Sequence, residues 1–206
     1  MVTDAGSAVY VPAQGLKTCN KKQRYITSGA QAEMGFTLPA TIGVCAARGG
    51  GEVLGNTGDG SFQMNIQELQ TLVHHKYPVK LFVWNNDGYL SIRATQNKFF
   101  HGRFIGTDST SGVSFPEVKK IAAAYGIAYF KIDTIQDIET QMPAIMAKTE
   151  PVLCEIKIIR DQEVIPSVSS KKLADGKLMS APIEDMYPFL PRDEFNNNMI
   201  VKPVEE

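Results

Sequence analysis

Gly58-Asp59-Gly60-Ser61 and the run Val79-Lys80-Leu81-Phe82-Val83-Trp84, which closes on Asn85-Asn86, together decide the fold. The run is rich in β-branched and aromatic residues and is bounded by Pro78 and the asparagines. It reads as a strand covered on both faces. Val53-Leu54-Gly55-Asn56 is a shorter strand that ends in the glycine-rich turn. Between the two, Phe62, Ile66, Leu69 and Val73 are spaced by four, three and four, which predicts one apolar helix face. Strand, glycine-rich turn, helix and strand in this order make a crossover unit.

Further out, Ala128-Tyr129-Phe130-Lys131-Ile132 reads as a third strand. Val152 to Ile158 alternates, with Glu155 and Lys157 on one face, and so reads as a strand nearer a sheet edge. Ser114-Phe115-Pro116-Glu117 predicts a capping box opening a helix that carries Val118, Ile121, Ala122 and Tyr125. Ile135, Ile138, Met142 and Ile145 form another helical stripe. The alternation implies an α/β fold, a mostly parallel sheet with helices on both faces. Residues 1–160 are assigned to this domain and 161–206 to an extended C-terminal tail with Pro166, Pro182, Pro188, Pro191 and Pro203. Its cluster Met186-Tyr187-Pro188-Phe189-Leu190 is expected to pack on the domain or on a partner. Lys171-Lys172 reads as a solvated charge pair.

The 206 residues carry 21 Lys+Arg against 22 Asp+Glu, so no basic field draws in nucleic acid. No apolar run approaches the ~20 residues that span a bilayer, and the first residues lack the pattern of a signal peptide. Cys19, Cys45 and Cys154 are odd in number and without metal-ligand spacing, which predicts reduced thiols and a cytoplasmic location.

Chemistry is concentrated at the glycine-rich turn. Glycines before a helix let backbone N–H groups approach a phosphate, and the helix start adds favourable partial charge. Asp59 there would repel a diphosphate unless a cation lies between them. Asn86, at the end of the next strand, offers a neutral oxygen on the same edge of the sheet. Carboxylate, amide oxygen and phosphate oxygens suit Mg²⁺. Two ordinary loops are the plain alternative. His74-His75 read as helix C-terminal residues, favoured there by the helix dipole. His101 is expected near the mouth of the site. Arg48-Gly49-Gly50-Gly51 precedes a strand instead of following one, so it reads as a surface turn.

Gly58-Asp59-Gly60, then 24 residues (61 through 84), then Asn85-Asn86, resembles the signature of thiamine-diphosphate-dependent enzymes. Tyr25 to Gly29 and Met34 to Gly43 are similar to the acetolactate synthase and pyruvate oxidase branch, and Val2 to Ser7 to the first strand and turn of the same domain. The likeness runs over roughly residues 2 to 160 and implies the thiamine-diphosphate-binding fold. It implies Asp59, the Asn86 side chain and the Gly88 carbonyl as Mg²⁺ ligands. It implies Gly6, Ser7, Gly60 and Ser61 as diphosphate donors, with Gly58, Tyr89 and Leu90 also at the cofactor. The Ala32 carbonyl matches the acceptor for the 4′-amino group. Met34 matches the catalytic wedge that props the bent cofactor; core packing is the alternative.

The implied reaction is decarboxylation of a 2-oxo acid, with the acyl unit released or passed to an acceptor carbonyl. The activating glutamate of the family lies in a pyrimidine-binding domain that 206 residues do not include. The chain is then one subunit of a split enzyme, a fragment, or a form that has lost catalysis; the start at Met1 is read as favouring a genuine split subunit, which implies a partner subunit and a hetero-oligomer with two-fold symmetry. Thr95 departs from the tryptophan of acetolactate synthases, and residues 183–191 are similar to tails of thiamin-dependent proteins of surface-polysaccharide pathways. Two rivals stand beside this reading. One is a non-catalytic cofactor-binding module with a regulatory or scaffolding role. The other is an unrelated nucleotide-binding domain, which the absence of Gly-x-Gly-x-x-Gly after the first strand disfavours.

Overall fold

Six strands lie side by side, all parallel, in the first of the two units into which the chain divides, Met1–Gln162 and Glu163–Glu206. The computed structural model describes residues 1–172 and 176–201, with the side chains of Lys171, Lys172 and Leu178 left out. In chain order the elements are β1 (Val2–Thr3), α1 (Ser7–Gly15), β2 (Ile26–Thr27), α2 (Thr37–Ala47), β3 (Val53–Gly58), α3 (Asp59–Phe62) and α4 (Leu69–His75). Then come β4 (Val79–Asn85), α5 (Leu90–Phe100), α6 (Val118–Tyr125), β5 (Ala128–Ile132), α7 (Ile135–Met146) and β6 (Val152–Lys157). The strand order is β2-β1-β3-β4-β6-β5.

The run at 79–84 works as its composition predicts. Val79, Leu81 and Val83 enter one core cluster with Leu38, Phe62, Leu69, Leu72 and Ile121. Phe82 enters a second with Ile132, Ile145, Val152 and Cys154, against which Trp84 packs. A strand feeding both layers has no solvent face, so its run is continuous instead of alternating. Leu81→Ala would cost about 2–5 kcal/mol, the usual range for truncating a fully buried leucine. Lys80 is also fully buried, and it is satisfied by the carbonyls of Pro78 and Lys148 and by Glu52 at 3.3 Å. Cys19, Cys45 and Cys154 are free; burial pushes the Cys154 thiol up to about 12, which makes it an inert core residue.

Two local expectations need correction. The helix after the glycine turn is not continuous. Gln63–Glu68 is a 3₁₀ segment in which Asn65 leaves helical geometry (φ −134°, ψ 31°) while its amide donates to the Gly35 carbonyl at 2.8 Å. Phe62 and Leu69 are still buried, so the stripe packs across the break. The capping box at Ser114 does not form. The helix opens at Val118, with Glu117 at its N-cap and no side-chain cap bond. Pro116 explains this, because it disfavours helical geometry at Phe115. β6, whose alternation placed it nearer a sheet edge, lies next to the outer strand β5. Glu155 is tolerated because Asn85 Nδ2 and the Tyr129 hydroxyl both donate to it at 2.6 Å.

α7 does carry a complete capping box, Thr134 with Asp137, although Ile135 and Ile138 of its stripe are exposed. At 48–51 the chain closes the end of α2, with the Gly50 N–H donating to the Cys45 carbonyl at 2.9 Å.

The second unit is not extended throughout. It holds an antiparallel hairpin, β7 (Ser170–Lys172) with β8 (Leu178–Ser180), and a short helix, α8 (Arg192–Asn198). Arg192 donates to both Asp185 oxygens, at 2.8 and 2.9 Å. Tyr187 and Phe189 meet edge to face at 6.0 Å. The solvation expected of Lys171-Lys172 and the place of Pro203 lie outside the described residues.

Candidate cofactor site

β1 and β3 are neighbours, yet the chain leaves β1 towards β2 on one side and β3 towards β4 on the other. The loops after these strands therefore diverge and leave a crevice at their C-terminal ends, where open α/β sheets bind ligands. A cavity of about 240 Å³ occupies this place. Gly6, Ser7, Ala32, Met34, Gly58, Asp59, Gly60, Ser61, Asn86, Gly88, Tyr89 and Leu90 all line it. The residues singled out from sequence are thus brought together from four separate stretches of chain. His101 is not among the lining residues; it is exposed, with left-handed geometry at the end of α5. His74 and His75 close α4, as expected.

Asp59 is 5% exposed and is the one carboxylate on the cavity wall among the described residues. Its Oδ2 accepts the Gly88 N–H at 3.0 Å and its Oδ1 that of Gly60 at 2.8 Å. Burial raises its pKa above the ordinary value, and N–H groups of Gly88, Gly60 and Asn86 with the Arg93 charge oppose that rise. The loop after β4 is thereby tied to the loop after β3.

The glycines answer to geometry. Gly6 sits at φ +59°. A Cβ on Gly60 would fall 2.2 Å from Tyr89 Cε1, and one on Gly88, at φ +125°, 2.1 Å from the Thr107 carbonyl oxygen. Nothing lies within 4 Å of the place a Gly58 Cβ would take, so the cavity opens over that residue. Ala32 holds left-handed geometry (φ 50°, ψ 48°) without being glycine, a costly conformation kept where surroundings over-determine it. Met34 is half-buried at the cavity wall and belongs to neither core cluster.

Three buried side-chain polar atoms lack a partner among the described residues, and Ser7 Oγ and Trp84 Nε1 are two of them. Both residues line the cavity. An orphaned buried hydroxyl costs free energy, and such atoms call for a ligand or water. No group of three His, Cys, Asp or Glu that could hold a metal occurs among the described residues. A cation beside Asp59 would therefore need oxygens from elsewhere, and a diphosphate supplies them. The donor set fits Mg²⁺ shared with such a group.

In the ligand-free chain the Ser61 hydroxyl is engaged within the protein. Its proton goes to Asp4 Oδ2 at 2.6 Å and its oxygen accepts the Gly35 N–H at 2.7 Å, so it braces two loops. Sequence reasoning passed over Asp4, which is fully buried and also accepts from the Thr57 hydroxyl at 2.9 Å and the Thr37 N–H at 3.3 Å. It also passed over Arg93, Trp84 and Ser91. Asp4 bonds residues distant in sequence, and Arg93 joins the nearby Asn86 and Asp87 carbonyls to the distant Arg160 and Asp161, so no local motif announces them.

Residues 4–156 match the family model described as thiamine pyrophosphate enzyme, C-terminal TPP binding domain. The chain belongs to that family. It is 34% identical over 170 residues to the acetolactate synthase large subunit of Porphyra purpurea, covering 82% of this chain and 28% of the relative. It is 32% identical over 167 residues to the corresponding subunit of Haemophilus influenzae, covering 81% and 29%. With acetolactate synthase of Arthrospira platensis the figure is 31% over 150 residues, 73% and 26%. The match thus spans under a third of the length of these relatives. Family membership supports thiamine diphosphate as the cofactor and the acetolactate synthase-like branch as the setting.

Proposed function

We propose that this chain forms the diphosphate-holding wall of a split thiamine-diphosphate-dependent 2-oxo acid decarboxylase or carboligase, with Mg²⁺ as second cofactor. The observation that carries the reading is a single buried carboxylate, Asp59, sharing a cavity wall with an unpartnered Ser7 hydroxyl and the glycines at 6, 58 and 60. Asp59, the Asn86 side chain and the Gly88 carbonyl would hold the metal. Ser7 and the N–H groups of its loop and of the Gly60 turn would hold phosphate oxygens. Ala32 and Met34 would orient the rest of the cofactor. When bound, thiamine diphosphate supplies a carbon nucleophile that adds to the 2-oxo acid carbonyl and accepts the electron pair as carbon dioxide leaves.

Asp59 is committed to the metal and no glutamate lines the cavity among the described residues. The proposal places the activating glutamate in a pyrimidine-binding domain outside these residues, carried by a partner chain. Exposed apolar side chains support such a partner: Tyr10 and Ile92 at the cavity, with Phe99, Phe100 and Ile105 in and after α5. Covering them would bury the surface a stable hetero-oligomer needs. The acyl donor in this reading is pyruvate or a similar 2-oxo acid, and the assembly works in the cytoplasm. No helix among the described residues is long and apolar enough to cross a membrane.

The test has two arms. Titration calorimetry should show Mg²⁺-dependent binding of thiamine diphosphate that Asp59→Ala abolishes. Release of carbon dioxide from pyruvate should require an added pyrimidine-domain subunit. Binding unchanged in Asp59→Ala would overturn the site. Turnover by the chain alone would overturn the split arrangement, and binding without turnover beside any such subunit would favour the non-catalytic module.

A further inference from the structure

We propose that Arg93 is a positioning residue for the 86–88 loop, holding Asn86 and Gly88 where a cation can meet them; the inference rests on the reading of the site given above. Arg93 stands in the first turn of α5 and is 3% exposed. Its Nη2 donates to the Asn86 carbonyl at 3.0 Å and to the Arg160 carbonyl at 2.6 Å. Its Nη1 donates to the Asp87 carbonyl at 3.0 Å, and its Nε to Asp161 Oδ1 at 3.0 Å. One planar fork thus grips two consecutive carbonyls of the loop that bears both proposed ligands.

The loop needs such a grip. Asp87 lies at φ +59° and Gly88 at φ +125°, two successive residues in a region that side chains avoid. No regular ladder continues past Asn85, where β4 ends. With the Asn86 and Asp87 carbonyls turned to Arg93, the Asn86 side chain and the Gly88 carbonyl remain to face a cation. The Gly88 N–H meanwhile bonds Asp59. Arg93 therefore acts through the backbone and touches neither metal nor cofactor. Its geometry is specific to arginine, because an ammonium cannot place donors on Nε and both Nη positions at once.

The charge also has to be matched. A buried guanidinium without a partner would be costly. Asp161 supplies the countercharge, although it is 67% exposed and screened by water. The three carbonyls complete the set, so Arg93 is satisfied by the conformation the loop requires. Loop and arginine specify each other.

Arg93→Lys keeps the charge and is the first variant to make. It should raise the Mg²⁺ concentration needed for half-maximal thiamine diphosphate binding about 10- to 100-fold, the usual cost of losing a group that orients a ligand. Saturating Mg²⁺ should restore binding. A merely structural arginine would lower the melting temperature of the metal-free protein and leave the Mg²⁺ requirement unchanged. Asp161→Asn, at an exposed site, guards against misfolding; it should raise the requirement about two- to fivefold, the usual scale of an exposed ion pair. With wild type binding and Asp59→Ala not, an unchanged Mg²⁺ requirement in both Arg93→Lys and Asp161→Asn overturns this inference alone. Absence of Mg²⁺-dependent binding in the wild type overturns the site reading, and this inference with it.

Discussion

Both ends of the parallel sheet carry hollows, and the groove of greater volume is not where the proposed site lies. At the N-terminal ends of the strands, a groove of about 900 Å³ is lined by Lys17, Lys21, Lys22, Arg24 and Arg48, with Glu52 as its one acid. All six are exposed. At the C-terminal ends the candidate cofactor cavity is only about 240 Å³, and a pocket of about 450 Å³ shares Asp59 with it. The wall of the cofactor cavity holds a buried carboxylate, two orphaned donors, a left-handed Ala32 in a conformation that costs free energy, and Gly6 and Gly88 at positive φ that other residues avoid. Volume follows from how loops happen to pack. A functional site shows instead in groups whose desolvation or strain the fold alone leaves uncompensated.

The strongest way to break this contrast is at Gly88. Gly88→Ala would bring Cβ to 2.1 Å from the Thr107 carbonyl oxygen in left-handed geometry. Strain and overpacking together should cost about 2–5 kcal/mol of stability. Cofactor binding should fall with it, because the Gly88 N–H bond to Asp59 cannot survive the shift. Denaturant unfolding checks the first effect and calorimetry the second. A fully stable Gly88→Ala protein would show the loop to be softer than its contacts imply.

Ser7→Ala sharpens the contrast by splitting two quantities. The hydroxyl has no partner in the cofactor-free chain, so removing it should leave stability unchanged or raise it by up to about 1 kcal/mol. Thiamine diphosphate binding should weaken roughly ten- to hundredfold, since a hydrogen bond to a charged group contributes about 1.5–3 kcal/mol. Loss of stability with intact binding would make Ser7 an ordinary packing residue.

A smaller effect is expected at Asp108, in the loop that meets Tyr89. Its carboxyl is held down at about 2 by the Thr110 hydroxyl, with Ser111 and Arg160 adding to it. A depressed carboxyl stabilises the fold above its unfolded value of 3.8, and that contribution is lost as pH falls through about 2. Asp108→Asn should therefore melt below wild type at pH 7, and the gap should close between pH 4 and 2. A gap independent of pH would assign the loss to shape alone.

What the sequence made legible was whatever is local. The continuous run at 79–84 announced a strand covered on both sides because both its faces are in fact buried, Leu81 in one cluster and Phe82 in the other. Gly58-Asp59-Gly60 announced the turn because one short stretch combines the carboxylate with the glycines that make room for it. Bracing groups escaped notice because their partners are remote. Asp4 reaches across 33, 53 and 57 residues to Thr37, Thr57 and Ser61, and Arg93 across 67 and 68 to Arg160 and Asp161. Local rules also misled where two of them competed. Ser114 and Glu117 have capping spacing, but Pro116 between them forbids the geometry. Asn65 sits within the span of the predicted helix, yet its amide is drawn to Gly35.

The smallest effect is expected in the larger hollow, and it tests the comparison from the other side. Lys21→Glu with Lys22→Glu reverses the sign of two exposed charges on the groove. Val53 at the start of β3 lines the groove, and Gly58 at its end lines the cavity. At about 3.3 Å per residue the separation along that strand is about 17 Å. The Debye length at 0.15 M salt is about 8 Å, so solvated charges at one end contribute little at the other. Thiamine diphosphate affinity should change by less than about twofold at that ionic strength. At 0.01 M salt, where screening reaches about 30 Å, a modest weakening should emerge, because the added negative charge then acts on a diphosphate. A tenfold loss that persists at 0.15 M salt would mean that the groove and the cavity are coupled through the sheet, and the division between the two ends would have to be given up.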